Sequence, residues 1–138
     1  MIAEDADYIR LRVSQARETM ADATTLFDTG SMLSVVNRLY YACFYAVSAL
    51  VYTEGARPKK HSGLLSAFGR DWIKTGRFPA HAGKFFRNLF NMRLKSDYGD
   101  EAPPTKEATR QLMAEARLFL DEILGYVEKY LENNPVSK

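Results

Sequence analysis

An arginine, an acid and a tyrosine fall within six residues of one another: Arg93, Asp97 and Tyr98. Arg93 follows Leu89 by four residues and Phe86 by seven, so on a helix it shares a face with apolar side chains. A guanidinium set against a core face is costly unless it is paired. Two arrangements answer that cost. In one, Arg93 and Asp97 form an ion pair a turn apart, extended by Asn37, that pins the helix end. In the other, Arg93 stands at a groove and offers its two-pronged N–H fork to a phosphate. An arginine four residues before an acid is the weaker orientation for a helix-stabilising pair, worth only about a few tenths of a kcal/mol. Asp97 would then orient Arg93, and Tyr98 could hydrogen-bond to or stack on a base.

Asn37 and Arg38 interrupt the most hydrophobic stretch of the chain, just before Tyr40 and Tyr41. Asn37, Arg38, Tyr41, Arg93 and Asp97 are the candidate ligand-binding residues. His61 follows Lys59 and Lys60 at the expected start of a helix, where an anion is favoured. His81 has no such neighbours and reads as a surface residue. Cys43 lies between Ala42 and Phe44 and reads as a small buried side chain. The phosphate-cradling glycine motifs, G-x-S-x-G and H-E-x-x-H are absent, as are the Glu-x-x-His pairs of di-iron bundles. One cysteine and two histidines leave no zinc site, and no cofactor is expected.

The elements that position these residues are helices. Breaks fall at Gly30, at Gly55 to Pro58, at Gly76 to Pro79 and at Tyr98 to Pro104, and no stretch between them alternates with period two. The first helix is expected over about 5–28, with Ile9, Ala16, Met20, Ala23 and Phe27 on one face. The second runs over about 31–54. It is apolar on one side through Leu33, Val36, Tyr40, Phe44, Val47 and Val51, and a second side carries Tyr41, Tyr45 and Tyr52. Such a helix is covered either by a partner subunit on its second side or wholly within the monomer. Shorter helices follow over about 62–74, with Leu64, Leu65, Phe68 and Trp72 inward, and over 80–96. Thr105 is a natural N-cap for a last helix reaching Asn133. Its inner face is read as Leu112, Ala116, Phe119, Ile123, Tyr126 and Tyr130, flanked by Met113, Leu120, Leu124, Val127 and Leu131. The fold class is all-α: one domain over 1–138, an up-and-down antiparallel bundle of about five helices.

The chain has 138 residues, 46% hydrophobic and 26% charged, which suits one folded domain and excludes a disordered chain. Net charge is +2, too balanced to announce a nucleic-acid binder in bulk. Between residues 57 and 95, however, ten lysines and arginines meet a single acid, Asp71. The longest nearly uncharged run, 39–53, is shorter than the roughly 20 residues that span a bilayer. The acidic start of the chain lacks the basic region of a signal peptide, so a cytoplasmic protein without membrane association is expected.

The run Asn37-Arg38-Leu39-Tyr40-Tyr41-Ala42-Cys43-Phe44-Tyr45-Ala46-Val47-Ser48-Ala49-Leu50 resembles the N-R-x-Y-Y-A-x-F-x-A-x-x-A-L helix of HEPN domains. His61-Ser62-Gly63-Leu64 to Phe68 is similar to the family's K-x-H-x-G-x-x-x-x-F element, and Arg93 to Tyr98 is similar to its R-x-x-x-D-Y ending. The likeness extends over about Tyr8 to Tyr130. It implies an antiparallel helical bundle that dimerises and builds its site at the dimer groove. Many members cut RNA without a metal through an R-x4-6-H motif. Here Arg93 matches, but the window holds Tyr98, Gly99 and Asp100 and no histidine. The D-Y ending resembles small members encoded beside minimal nucleotidyltransferases. Three functions follow from the resemblance and the residues. One is a homodimer that binds RNA or a nucleotide and partners a nucleotidyltransferase in a toxin–antitoxin or defence system. Another is a metal-independent ribonuclease with Arg93, Tyr98 and His61 as candidate catalytic residues. The last is a structural adaptor.

Overall fold

Apolar residues spaced three and four apart fix the seams of the two longest helices. In α1 (Ala3–Thr29), Ala6, Ile9, Val13, Ala16, Met20 and Ala23 are buried. In α5 (Lys106–Asn133), the seam is Thr109, Met113, Ala116, Leu120, Ile123 and Val127. This alternation is the pattern by which helices lie nearly antiparallel and interlock side chains. The computed structural model describes residues 1–97, the last two as backbone only, and 102–137. Between the two long helices the chain forms α2 (Met32–Tyr52), α3 (His61–Phe68) and α4 (Ala80–Asp97). Every described element is helical, and the all-α bundle is as expected.

Local chemistry sets the boundaries. Ser31 caps α2 by accepting from the Leu33 N–H, and Thr105 caps α5 by accepting from the Ala108 N–H. Gly55, at φ 82°, turns the chain after α2, and Gly76, at φ 81°, turns it before α4. One element departs from the sequence reading. Gly69–Ile73 continues α3 as a π-helical turn. The wider turn accompanies full burial of both Phe68 and Trp72, four residues apart.

Helix α2 sits at the centre, packed against all four other helices. Twelve of its residues are buried, from Val35 to Val51. Each fully buried aliphatic side chain of this kind contributes about 1.5–3 kcal/mol. By length and composition alone this 21-residue helix is also apolar enough to cross a membrane, longer than the run read from sequence. Its hydrophobicity is spent inside the bundle, where 67% of the most apolar window is buried.

The tyrosine side of α2 is partly covered by α1. The Tyr52 hydroxyl donates to Asp5 at 2.7 Å, and its ring lies 4.4 Å from that of Tyr8. The Asp5 carboxylate, and then burial, hold the Tyr52 phenol above its ordinary pKa. Arg12 covers Tyr45 at 5.3 Å. The inner face of α5 also differs from the expectation. Met113, Leu120 and Val127 lie inward, while Leu112 and Tyr130 are half-buried and Tyr126 is 37% exposed. Tyr126 instead closes a clasp over the α3–α4 turn. Arg77 lies 3.7 Å above the Trp72 ring, donates to both Glu54 oxygens and donates to the Tyr126 hydroxyl at 3.1 Å.

A stack of rings carries the core to the candidate site. Phe119 of α5 faces Phe86 of α4 at 6.0 Å, and Phe86 faces Tyr40 of α2 at 6.0 Å with an interplanar angle of 7°. Phe68 of α3 meets Phe86 edge-on at 5.9 Å. Four helices thereby fix the position of one tyrosine.

Candidate functional site

Tyr40 has no exposed surface, so its hydroxyl must find a partner inside the protein. The partner is His61, the first residue of α3, whose Nδ1 lies 2.9 Å away. The imidazole is held between rings. Phe44, one turn after Tyr40, stacks on it at 4.5 Å, and Tyr41 meets it edge-on at 5.8 Å. Arg93 enters from α4. Its guanidinium carbon lies 5.0 Å from the Tyr40 ring and 5.8 Å from the Tyr41 ring, and its Nη1 donates to the Tyr41 hydroxyl at 3.4 Å. Arg38 covers the Tyr41 ring at 5.3 Å. Asn37 orients Arg38 by accepting from its Nε and Nη2 at 3.1 and 2.7 Å.

Four of the residues singled out from sequence therefore meet around two adjacent tyrosines: Arg38, Tyr41, His61 and Arg93. Asn37 joins the cluster through Arg38. Asp97 closes α4, with its side chain outside the described residues, and Tyr98 also lies outside them. His81 is exposed, and Cys43 is buried with its thiol pushed up by that burial, which leaves it inert as a nucleophile. Sequence reasoning assigned Tyr40 to the core alone and did not mark Phe44 as a site residue. The signal available for Tyr40 was its own hydroxyl, which a buried phenol cannot leave without a partner.

The cluster combines two guanidinium charges with titratable groups held in their neutral forms. Burial lowers the pKa of His61, and the Arg93 charge lowers it further, so the imidazole is neutral near pH 7. Burial drives the Tyr40 phenol well above its ordinary range, against the opposing pull of Arg93, so Tyr40 keeps its proton. Where the Tyr40 hydroxyl donates to Nδ1, His61 presents an Nε2–H donor; where it accepts, Nε2 is left as a base. Among the described residues no group of three His, Cys, Asp or Glu side chains could hold a metal. Two guanidinium groups and a neutral imidazole can grip a phosphate and exchange a proton near it.

The HEPN domain model matches residues 9–129, and the chain belongs to the HEPN-domain family. It is 40% identical to a UPF0332 protein of Thermotoga maritima, over 83% of this chain and 86% of that one. It is 32% identical to a protein of Methanocaldococcus jannaschii named "Putative toxin", over 89% and 91% of the two chains. A second protein of that organism with the same designation is 29% identical over 91% of this chain and 83% of its own. Two of the relatives in that family thus carry a toxin designation.

Proposed function

We propose that this chain is the RNA- or nucleotide-binding HEPN component of a toxin–antitoxin or defence system, acting as a homodimer with a minimal nucleotidyltransferase as partner. The convergence of Arg38, Arg93 and His61 around Tyr40 and Tyr41 carries the reading. Two cations from separate helices, set over aromatic rings that stiffen them, suit a two-point hold on a phosphate. The half-buried Tyr41 and Phe44 beside them offer faces for a base. Relatives designated as toxins support the biological setting. The test is fluorescence anisotropy with a labelled single-stranded RNA or a dinucleotide. Arg93→Ala should abolish binding of the dinucleotide while leaving the circular dichroism unchanged. Equal binding by the variant at low salt removes Arg93 from the site. Light scattering at micromolar concentration tests the dimer, and co-purification with the product of a neighbouring nucleotidyltransferase gene tests the partner.

A second reading, a metal-independent ribonuclease, is favoured by one observation: His61 and Arg93 sit on the same tyrosine although the chain lacks a histidine just after Arg93. In that reaction the 2′-oxygen attacks the phosphorus and His61 takes its proton. The bond to the 5′-oxygen breaks as that oxygen takes a proton from solvent water, and Arg93 neutralises the charge gathering on the phosphoryl oxygens. The products are a 2′,3′-cyclic phosphate and a 5′-hydroxyl end. Cleavage that persists in EDTA and is lost in His61→Ala supports this reading. RNA that stays intact over hours rejects it.

A further inference from the structure

The ten basic residues between 57 and 95 are not one undivided surface. Arg93 belongs to the tyrosine cluster, Arg77 is held by Trp72 and Glu54, and Arg57 lies 4.2 Å over the Tyr8 ring. Arg70 forms a two-point pair with Asp71, the only acid of the segment. Lys74, Lys84 and Arg87 form a further group, all exposed, and among the described residues no carboxylate lies within 4.0 Å of them.

These three, with Arg70, line one cleft of about 580 Å³ between the π-helical turn and α4. Arg70 and Lys74 form one wall, and Lys84 and Arg87 form the other. The floor is apolar and closely drawn in. Gly83 lets α4 approach so near that a Cβ there would lie 3.0 Å from Ile73 Cγ1. Leu65, four residues after His61 and on the same side of α3, lines the cleft as well. One end of the cleft therefore lies one turn of α3 from His61.

We infer that this cleft binds the phosphate backbone of a single-stranded RNA whose neighbouring nucleotides occupy the Arg93–His61 cluster, an inference that rests on the RNA reading of that cluster. Cations on two facing walls follow a strand from both sides, and Lys74, Lys84 and Arg87, with no carboxylate of the described residues within 4.0 Å, keep their charge available to it. Phosphate contacts of this kind set register without reading bases. A lipid surface fits less well, because the exposed large apolar side chains (Ile2, Leu11, Leu118, Tyr126 and Val136) all lie outside the cleft, which leaves it no anchor of that size.

The experiment compares a dinucleotide with a labelled single strand of about 20 nucleotides across a salt series, using wild type, Arg93→Ala and the triple variant Lys74→Ala/Lys84→Ala/Arg87→Ala. Thermal melts confirm that each variant is folded. Each lost phosphate contact should reduce the slope of log affinity against log salt by about 0.7, so the triple variant should lose about 2 in slope and at least about tenfold in affinity at low salt. Its dinucleotide binding should match wild type. If the triple variant keeps wild-type slope and affinity on the long strand while Arg93→Ala loses the dinucleotide, the cleft is not the track and the site reading stands. If Arg93→Ala keeps the dinucleotide while the triple variant loses the long strand, the site reading falls and the cleft remains. A long strand bound no tighter than a dinucleotide, or a preference for phosphatidylserine vesicles over RNA, overturns the inference.

Discussion

The Tyr40 hydroxyl and the His61 Nδ1, 21 residues apart in the chain, meet at 2.9 Å beneath the Arg93 guanidinium. That bond ties the start of α3 to the middle of α2 and fixes which imidazole nitrogen is engaged. It also puts a titratable ring beside a permanent positive charge, so the cluster responds to pH in a direction that can be worked out.

The first prediction concerns that response. His61 has a folded-state pKa below its ordinary 6.5, first from burial and then from Arg93. Below that value the unfolded chain binds the extra proton more readily than the native protein does. The contribution of His61 to stability is therefore complete above pH 6.5 and declines as the pH falls from there toward the folded pKa. Melting temperatures from pH 8 to 5.5 should drop more steeply for wild type than for His61→Phe. In an NMR titration the His61 midpoint should lie below 6.5 and should rise in Arg93→Ala. An unmoved midpoint would show that the Arg93 charge does not reach the ring.

Tyr40→Phe keeps the ring stack with Phe86 and removes only the hydroxyl. The expected loss is about 1 kcal/mol, the net worth of one hydrogen bond plus part of the cost of leaving the imidazole nitrogen to water. Tyr40→Ala opens a cavity at a fully buried site and should cost about 3–5 kcal/mol. Urea unfolding of both variants separates the two contributions. Similar losses for the two would mean that the hydroxyl, not the ring, dominates.

Arg38→Ala should leave the fold nearly intact. The side chain is half-buried, its hydrogen bonds go to the neighbouring Asn37, and its remaining contact is with the face of Tyr41. A cation–π contact of this exposure is worth about 0.5–1 kcal/mol. A loss of 3 kcal/mol or more, the range of a broken buried ion pair, would contradict this placement. RNA binding should weaken in the same variant while its melting curve moves little.

The Arg77 clasp makes a purely structural prediction. Arg77→Ala removes the contact with Trp72 and the two-point pair with Glu54. Solvent reaches the pair, so the combined loss should be about 1–2 kcal/mol and partly salt-sensitive. Binding of a dinucleotide should be unaffected. A variant that melts like wild type at low salt would show that the clasp holds nothing.

The helices themselves were legible along the chain. Apolar spacing of three and four marked α1, α2 and α5. Ser31 and Thr105 stand where caps are needed, and Gly55 and Gly76 adopt the positive φ that glycine supplies. These are short-range effects: a side chain capping an N–H two or three residues on, or a backbone angle set by one residue's sterics, leaves its mark within a few positions. The motif residues of the HEPN resemblance were legible for the same reason, since most lie on single helices. Which faces meet was decided by the tertiary structure. Sequence spacing placed Tyr126 and Tyr130 inward on α5, yet Met113, Leu120 and Val127 took the core and left Tyr126 for Arg77. Both sets satisfy helical periodicity, and only packing against α2 distinguishes them. The joining of His61 to Arg93 was beyond local reading altogether. They lie 32 positions apart and approach because Phe68, Phe86 and Phe119 stack α3, α4 and α5 around Tyr40. Such an approach depends on the volumes and angles of a shared core, which no short segment of the chain carries by itself.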